Sequence, residues 1–187
     1  MTRFRGKRRA LLMDRDGVLV EDRDYAFRPS DVHLLPGVAE SLKLASQQGY
    51  ALIVITNQSG VARGKFALAD VFTFHDELNR QIVAQGAPPI EAFYICPHLP
   101  EGSVPVYSRV CHCRKPAPGL VLQAASDLDL DLARSWFVGD KAADIACAEA
   151  AGVRGAQVMT KHGERAHPAA RAEVRSLFEF VSSSEFT

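Results

Sequence analysis

Four short apolar runs set the frame of this chain: Ala10–Met13, Ala51–Ile55, Phe93–Ile95 and Trp136–Val138. Each is bounded by polar or turn residues, so each reads as a buried strand. Segments with helical spacing separate them. Val38–Gln48 carries Val38, Leu42 and Ala45 on one side and stops at Gly49. Leu68–Gln85 carries Val71, Phe74, Leu78 and Ile82, and Pro118–Leu128 forms a third such segment. The pattern predicts a short helix over Asp144–Ala151, a last strand near Gly155–Met159 and a helical tail over Ala169–Phe180. Strands alternating with helices predict an α/β fold, a Rossmann-like parallel sheet with helices on both faces. Ligands bind such sheets at the carboxyl ends of the strands.

Three such ends carry a polar signature. The first is Asp14-Arg15-Asp16-Gly17, the second Thr56-Asn57-Gln58-Ser59-Gly60, the third Gly139-Asp140-Lys141. Strand alternation puts Asp14 and Asp16 on one face and turns Arg15 the other way. Two converging carboxylates need a proton or a cation. Alone, the Asp-Arg-Asp stretch reads as a solvated turn. With Asp140 it becomes a hard oxygen site suited to Mg²⁺. Thr56, Asn57 and neighbouring backbone N–H groups suit phosphate oxygens, and Lys115 adds a point charge. Together these residues describe phosphoryl transfer. Asp14 attacks phosphorus and forms an aspartyl phosphate. Asp16 protonates the leaving oxygen and then deprotonates the hydrolytic water.

The cysteines point to a second metal. Cys96-Pro97-His98 and Cys111-His112-Cys113 offer Cys₃His, a closed tetrahedral zinc set that would clip a Pro/Gly-rich loop. Free cytosolic thiols with a surface His98 are the alternative. His112 stands between two ligands and is expected to point away, and Cys147 is expected in the core. The loop runs directly into Arg114-Lys115. Ordering it would fix the lysine and aim Arg114 at a second anionic group; a solvated surface charge is the other reading of Arg114.

A length of 187 residues suits a single domain with a real core. Lys plus Arg total 22 and Asp plus Glu total 22, a balance that argues against a nucleic-acid partner. Arg3, Arg5, Lys7, Arg8 and Arg9 crowd the start, but only four apolar residues follow and no cleavage site appears. Residues 1–9 are therefore expected to be a frayed basic start. No run is long enough to span a membrane. The expectation is a cytoplasmic monomer acting on a small molecule.

In order, Asp14-Arg15-Asp16-Gly17, Ile55-Thr56-Asn57, Lys115-Pro116 and Val138-Gly139-Asp140-Lys141 with Asp144 resemble the four motifs of the haloacid-dehalogenase-superfamily phosphatases. The resemblance implies Mg²⁺ held by Asp14, Asp140 and the backbone carbonyl of Asp16. Thr56–Gly64, the Cys-Pro-His…Cys-His-Cys-Arg-Lys-Pro loop and Val138–Lys141 are further similar to the heptose 1,7-bisphosphate 7-phosphatase family, over about Leu11 to Val158. That similarity implies that Arg114 recognises substrate and that Lys115 and Thr56 steady the phosphoryl group. It also implies that Asp22, Arg23, Asp24, Tyr25, Thr56, Asn57, Gln58, Ser59 and Lys141 line the substrate. Asp24 departs from the pattern, standing where a glycine is expected before Tyr25. No insertion is long enough for a cap domain, so the site should be open. Histidinol-phosphate phosphatases share the motifs and a similar zinc loop, and are the alternative enzyme. A polynucleotide 3′-phosphatase fits the neutral charge poorly. A phosphate-binding scaffold without turnover is the alternative of another class, and would lack Asp14, Asp16, Lys115 or Asp140.

Overall fold

The computed structural model describes residues 6–159 and 165–186; Arg3 and Arg5 of the basic start lie outside them. Six parallel strands form one sheet in the order β3-β2-β1-β4-β5-β6. They are β1 (Ala10–Met13), β2 (Ala51–Asn57), β3 (Ala92–Cys96), β4 (Trp136–Gly139), β5 (Arg154–Val158) and β6 (Ala170–Val174). The helices are α1 (Val38–Gln47), α2 (Ser59–Ala62), α3 (Leu68–Ala84), α4 (Gly119–Leu128), α5 (Ala142–Ala150) and α6 (Leu177–Val181).

Alternation along the central strands builds two cores. Leu11 and Met13 of β1 join Leu52 and Val54 of β2, with α1, α3 and α6 above them. Ala10 and Leu12 join Ala51, Ile53 and Ile55 on the other face, against α4 and α5. All four residues of β1 have no exposed surface, and each fully buried Leu or Met contributes roughly 1.5–3 kcal/mol. Met13 pairs with Val54 on one side and Val138 on the other. β1 and β4 therefore end within one residue of each other, β2 runs on from Val54 to Asn57, and the three polar signatures come to one edge.

Two expectations are corrected. Residues 169–180 are not one helix. Ala170–Val174 form the edge strand β6, and a short helix follows, capped where Ser176 Oγ accepts from Glu179 N at 3.1 Å. Ala-Arg-Ala-Glu favours a helix locally, but pairing with β5 overrides that weak preference. Nor do residues 7–9 behave as a frayed start. Arg8 N donates to Asp129 O at 3.0 Å, its guanidinium grips Glu91 at 2.7 Å, and Arg9 lies over the Tyr50 ring. No cap domain interrupts the sheet among the described residues, and none of their helices is long and apolar enough to cross a membrane.

Candidate active site

β1 ends at Met13, and Asp14 N still donates to Val138 O at 2.9 Å, as the next rung of the ladder. The chain then turns. Gly17 has φ +79°, and its N–H donates to Val20 O at 2.8 Å. Strand alternation therefore fails beyond Asp14. The three carboxylates that converge are Asp14, Asp140 and Asp144, whose ligand oxygens all lie within 4.8 Å of one another. The Asp16 carboxylate, expected in that cluster, is turned aside. Arg15, expected to point away, folds back onto it instead, its Nε 3.1 Å from both oxygens and its NH2 2.9 Å from Oδ1.

Lys115 is the positive centre of the cluster. Nζ lies 2.8 Å from Asp14 Oδ1, 2.7 Å from Asp144 Oδ1 and 2.9 Å from the Ile55 carbonyl, so all three donors are engaged. Burial disfavours its charge, but Asp14 and Asp144 more than offset that and hold the ammonium well above its ordinary range. Asp144 accepts on its other oxygen from Lys141 N at 3.0 Å, so both its oxygens are bound. It acts as counter-charge to Lys115 and leaves Asp14 and Asp140 as the open donors.

Asp140 lacks what it needs. Oδ1 is buried with no hydrogen-bond partner, and burial, then the charge of Asp14, pushes its carboxyl up to about 7. An orphaned hard oxygen beside a second carboxylate fits Mg²⁺. Burial likewise pushes the Asp16 carboxyl above the usual carboxylate range, against the pull of Arg15, a direction that suits a proton donor.

Not every expected phosphate contact faces the cavity. Thr56 is fully buried, and its Oγ1 accepts from Gln58 Nε2 at 2.9 Å. Gln58 Nε2 also reaches Asp16 Oδ2 at 3.1 Å, and its Oε1 accepts from Arg15 at 3.2 Å, so the amide is fully engaged. Asn57 turns its amide to the main chain of Lys115. Asn57 and Gln58 brace the site while bordering the cavity, a double engagement that chain pattern alone could not have shown.

The site opens into a cavity of about 330 Å³ whose walls include Asp14, Asp16, Asn57, Gln58, Ser59, Arg114, Lys115 and Lys141. The loop of Asp22, Arg23, Asp24 and Tyr25 closes one side. The left-handed residue there is Tyr25 itself, at φ 60°, next to the position where Asp24 replaces the expected glycine. Lys65 Nζ lies 4.0 Å above the Tyr25 ring, and Lys141 pairs with Asp22 at 3.0 Å across the mouth.

The Cys/His loop is as compact as its spacing implies. Cys96 Sγ, Cys111 Sγ, Cys113 Sγ and a ring nitrogen of His98 lie within 4.8 Å of one another. Three sulfurs and an imidazole are a donor set that fits Zn²⁺. His112 is outside the set, and Cys147 is buried with its thiol 3.3 Å from Ala117 O. The loop leans on α2, where Ser103 N and Val104 N donate to Ala62 O at 2.8 and 2.9 Å. Arg114 NH1 donates to His98 O at 3.3 Å, which ties the rim arginine to a candidate zinc ligand.

Three comparisons bear on this geometry. The family described as HAD-hydrolase-like matches residues 112–178. The D-glycero-beta-D-manno-heptose-1,7-bisphosphate 7-phosphatase of Escherichia coli K12 is 38% identical over 161 residues, 86% of this chain and 83% of that one. The protein of the same name from Vibrio cholerae is 38% identical over 155 residues, 83% and 82% of the two chains. The crystal structure of D,D-heptose 1,7-bisphosphate phosphatase from B. bronchiseptica, complexed with magnesium and phosphate, superposes with a TM-score of 0.79 at 30% identity, covering 92% of this chain and 96% of that one.

Proposed function

The chain belongs to the haloacid-dehalogenase-like phosphatases, in the family of the heptose 1,7-bisphosphate 7-phosphatases, and from that premise we propose that it hydrolyses the 7-phosphate of D-glycero-D-manno-heptose 1,7-bisphosphate. The product, a heptose 1-phosphate, serves nucleotide-activated heptose and surface polysaccharide. The observation that carries the reading is the carboxylate cluster around Lys115 beneath a cavity rimmed by Arg114.

Asp14 presents its free oxygen to phosphorus, while Lys115 holds the other at 2.8 Å. Asp16 gives a proton to the departing sugar oxygen and later takes one from water. Arg114 offers a planar fork to the phosphate that stays. Asp22 to Tyr25 and Lys141 border the sugar. Mg²⁺ would be held by Asp14, Asp140 and the main-chain carbonyl of Asp16, and when bound supplies charge neutralisation for the phosphoryl oxygens. Zn²⁺ would be held by Cys96, His98, Cys111 and Cys113 and would be structural. We take the enzyme to work in the cytoplasm as a monomer.

Phosphate release from both anomers of the bisphosphate and from histidinol phosphate, with Mg²⁺, tests the reading. A kcat/KM for a bisphosphate at least tenfold above that for histidinol phosphate is expected, with activity lost in Asp14→Asn. Higher kcat/KM on histidinol phosphate overturns the substrate, and full activity of Asp14→Asn overturns the mechanism.

A further inference from the structure

Arg15 is almost wholly buried, at 2% exposure, and the mechanism above gives it nothing to do. A buried guanidinium is costly unless it is paired. Its partners are specific. Nε and NH2 fork onto the Asp16 carboxylate at 2.9–3.1 Å. NH2 also donates to Gln58 Oε1 at 3.2 Å and to Ala26 O at 3.3 Å. The plane lies 4.2 Å above the centre of the Phe74 ring. The next residue on α3, His75, is buried and stacked on Phe93.

The consequence for Asp16 is geometric. Arg15 engages both oxygens, and Gln58 engages Oδ2 from a second direction at 3.1 Å. The carboxyl is thereby held at one rotation about its Cβ–Cγ bond. A proton donor must lie within hydrogen-bond reach of one atom of the substrate, so a carboxyl free to swing loses rate. The same guanidinium anchors Ala26, which ends the loop carrying Asp22 to Tyr25. Acid and substrate loop are therefore fixed to one group.

We propose that Arg15 is a positioning residue for proton transfer, a fork that locks Asp16 in the orientation from which it serves the leaving group. The inference rests on the reading of Asp16 as acid and base. In the first half-reaction the bond from phosphorus to the sugar oxygen breaks as the Asp14–phosphorus bond forms, and the Asp16 proton passes to that oxygen. In the second, water oxygen bonds to phosphorus, the Asp14–phosphorus bond breaks, and Asp16 takes the water proton.

The role has a signature that plain structural support lacks. kcat/KM reports the steps up to the first cleavage. A sugar oxygen leaves only with a proton, whereas p-nitrophenolate leaves without one. Arg15→Met is expected to lower kcat/KM on the heptose bisphosphate about 100-fold, within the range of general-acid effects, with a similar loss on ethyl phosphate, whose leaving oxygen also needs the proton but which has no sugar for the Asp22 to Tyr25 loop to hold. On p-nitrophenyl phosphate it should change kcat/KM less than about threefold. Arg15→Lys keeps a cation and loses the fork, and should split the two substrates in the same way. Equal losses on both substrates, no loss on either, or wild-type behaviour in Arg15→Lys overturns the proposal. Should Arg15→Met fail to fold, Phe74→Leu removes the ring beneath the guanidinium and should give the same split at about threefold to tenfold; a folded Phe74→Leu without a split overturns it. Asp16→Asn separates the two layers of argument. If it shows no split, the reading of Asp16 fails and takes this one with it. If it splits the substrates and the Arg15 variants do not, only the role of Arg15 fails.

Discussion

Asn57 clasps the main chain of Lys115 from both sides. Its Nδ2 donates to the Lys115 carbonyl at 3.2 Å, and its Oδ1 accepts from the Lys115 amide at 3.1 Å. Residues at the end of β2 and beyond the Cys/His loop are thus joined next to the lysine that faces Asp14. Asn57→Ala leaves two main-chain groups without their partner and lets Lys115 drift. Losing such bonds costs about 1–3 kcal/mol. Steady-state kinetics should show kcat about tenfold to a hundredfold lower with KM little changed, since Arg114 keeps its place on the cavity wall. An unchanged kcat would remove Asn57 from the support of the site.

Gly17 has a different task. A Cβ there would lie 2.4 Å from Asp140 Oδ2, on a backbone at φ +79° that side chains resist. Gly17→Ala pushes Asp140 aside. The expected outcome is a Mg²⁺ requirement at least about tenfold higher in activity titrations, with the fold retained by circular dichroism.

Zinc should prove to be the fastener of the lysine. Metal-replete protein is expected to carry one zinc per chain by elemental analysis, and Cys113→Ser to carry none. Stripping the metal should lower Tm by at least about 5 °C. Activity should fall with it, because Arg114 and Lys115 follow the last cysteine directly. A zinc-free protein of full stability would refute this.

His75 makes the fold sensitive to acid. Burial, then the charge of Arg15, lowers its pKa from 6.5 to about 3. Above 6.5 the imidazole is neutral in both folded and unfolded chains and contributes no pH dependence. As pH falls below 6.5 the unfolded chain takes the proton and the folded one does not. Stability is lost from 6.5 down to about 3, reaching roughly 2 kcal/mol at pH 5. Urea unfolding at pH 7.5 and pH 5 should show that His75→Phe escapes this part of the loss. Equal losses in both proteins would mean that His75 is protonated in place.

The strands through β5, their parallel direction and the edge where the signatures meet were legible because apolar runs and helical spacing are local signals. So was the Cys₃His set, since its members sit in two tight pairs. What was not legible depends on the turn after Asp14. Alternation places Asp16 beside Asp14, yet the Gly17 turn takes it out of the cluster and lets Asp144, from α5, stand there instead. The engaged amides of Asn57 and Gln58 depend on partners distant in the chain, Lys115 for one and Arg15 with Asp16 for the other. The β6 edge strand was hidden because Ala170 to Val174 have the composition of a helix, and only a neighbouring strand makes them extended.

The strand order also dictates when the carboxylate cluster can assemble during synthesis. β1 precedes the other strands of the described residues in the chain and sits third in the sheet, between β2 and β4. Its second neighbour begins only at Trp136. Until the ribosome has released that far, the strand leading to Asp14 has an open edge, a surface that invites wrong pairing. Asp140 arrives with the same late strand. A nascent chain halted before Trp136 therefore has neither the second neighbour of β1 nor Asp140 and Asp144, and the stretch from Trp136 onward delivers both together.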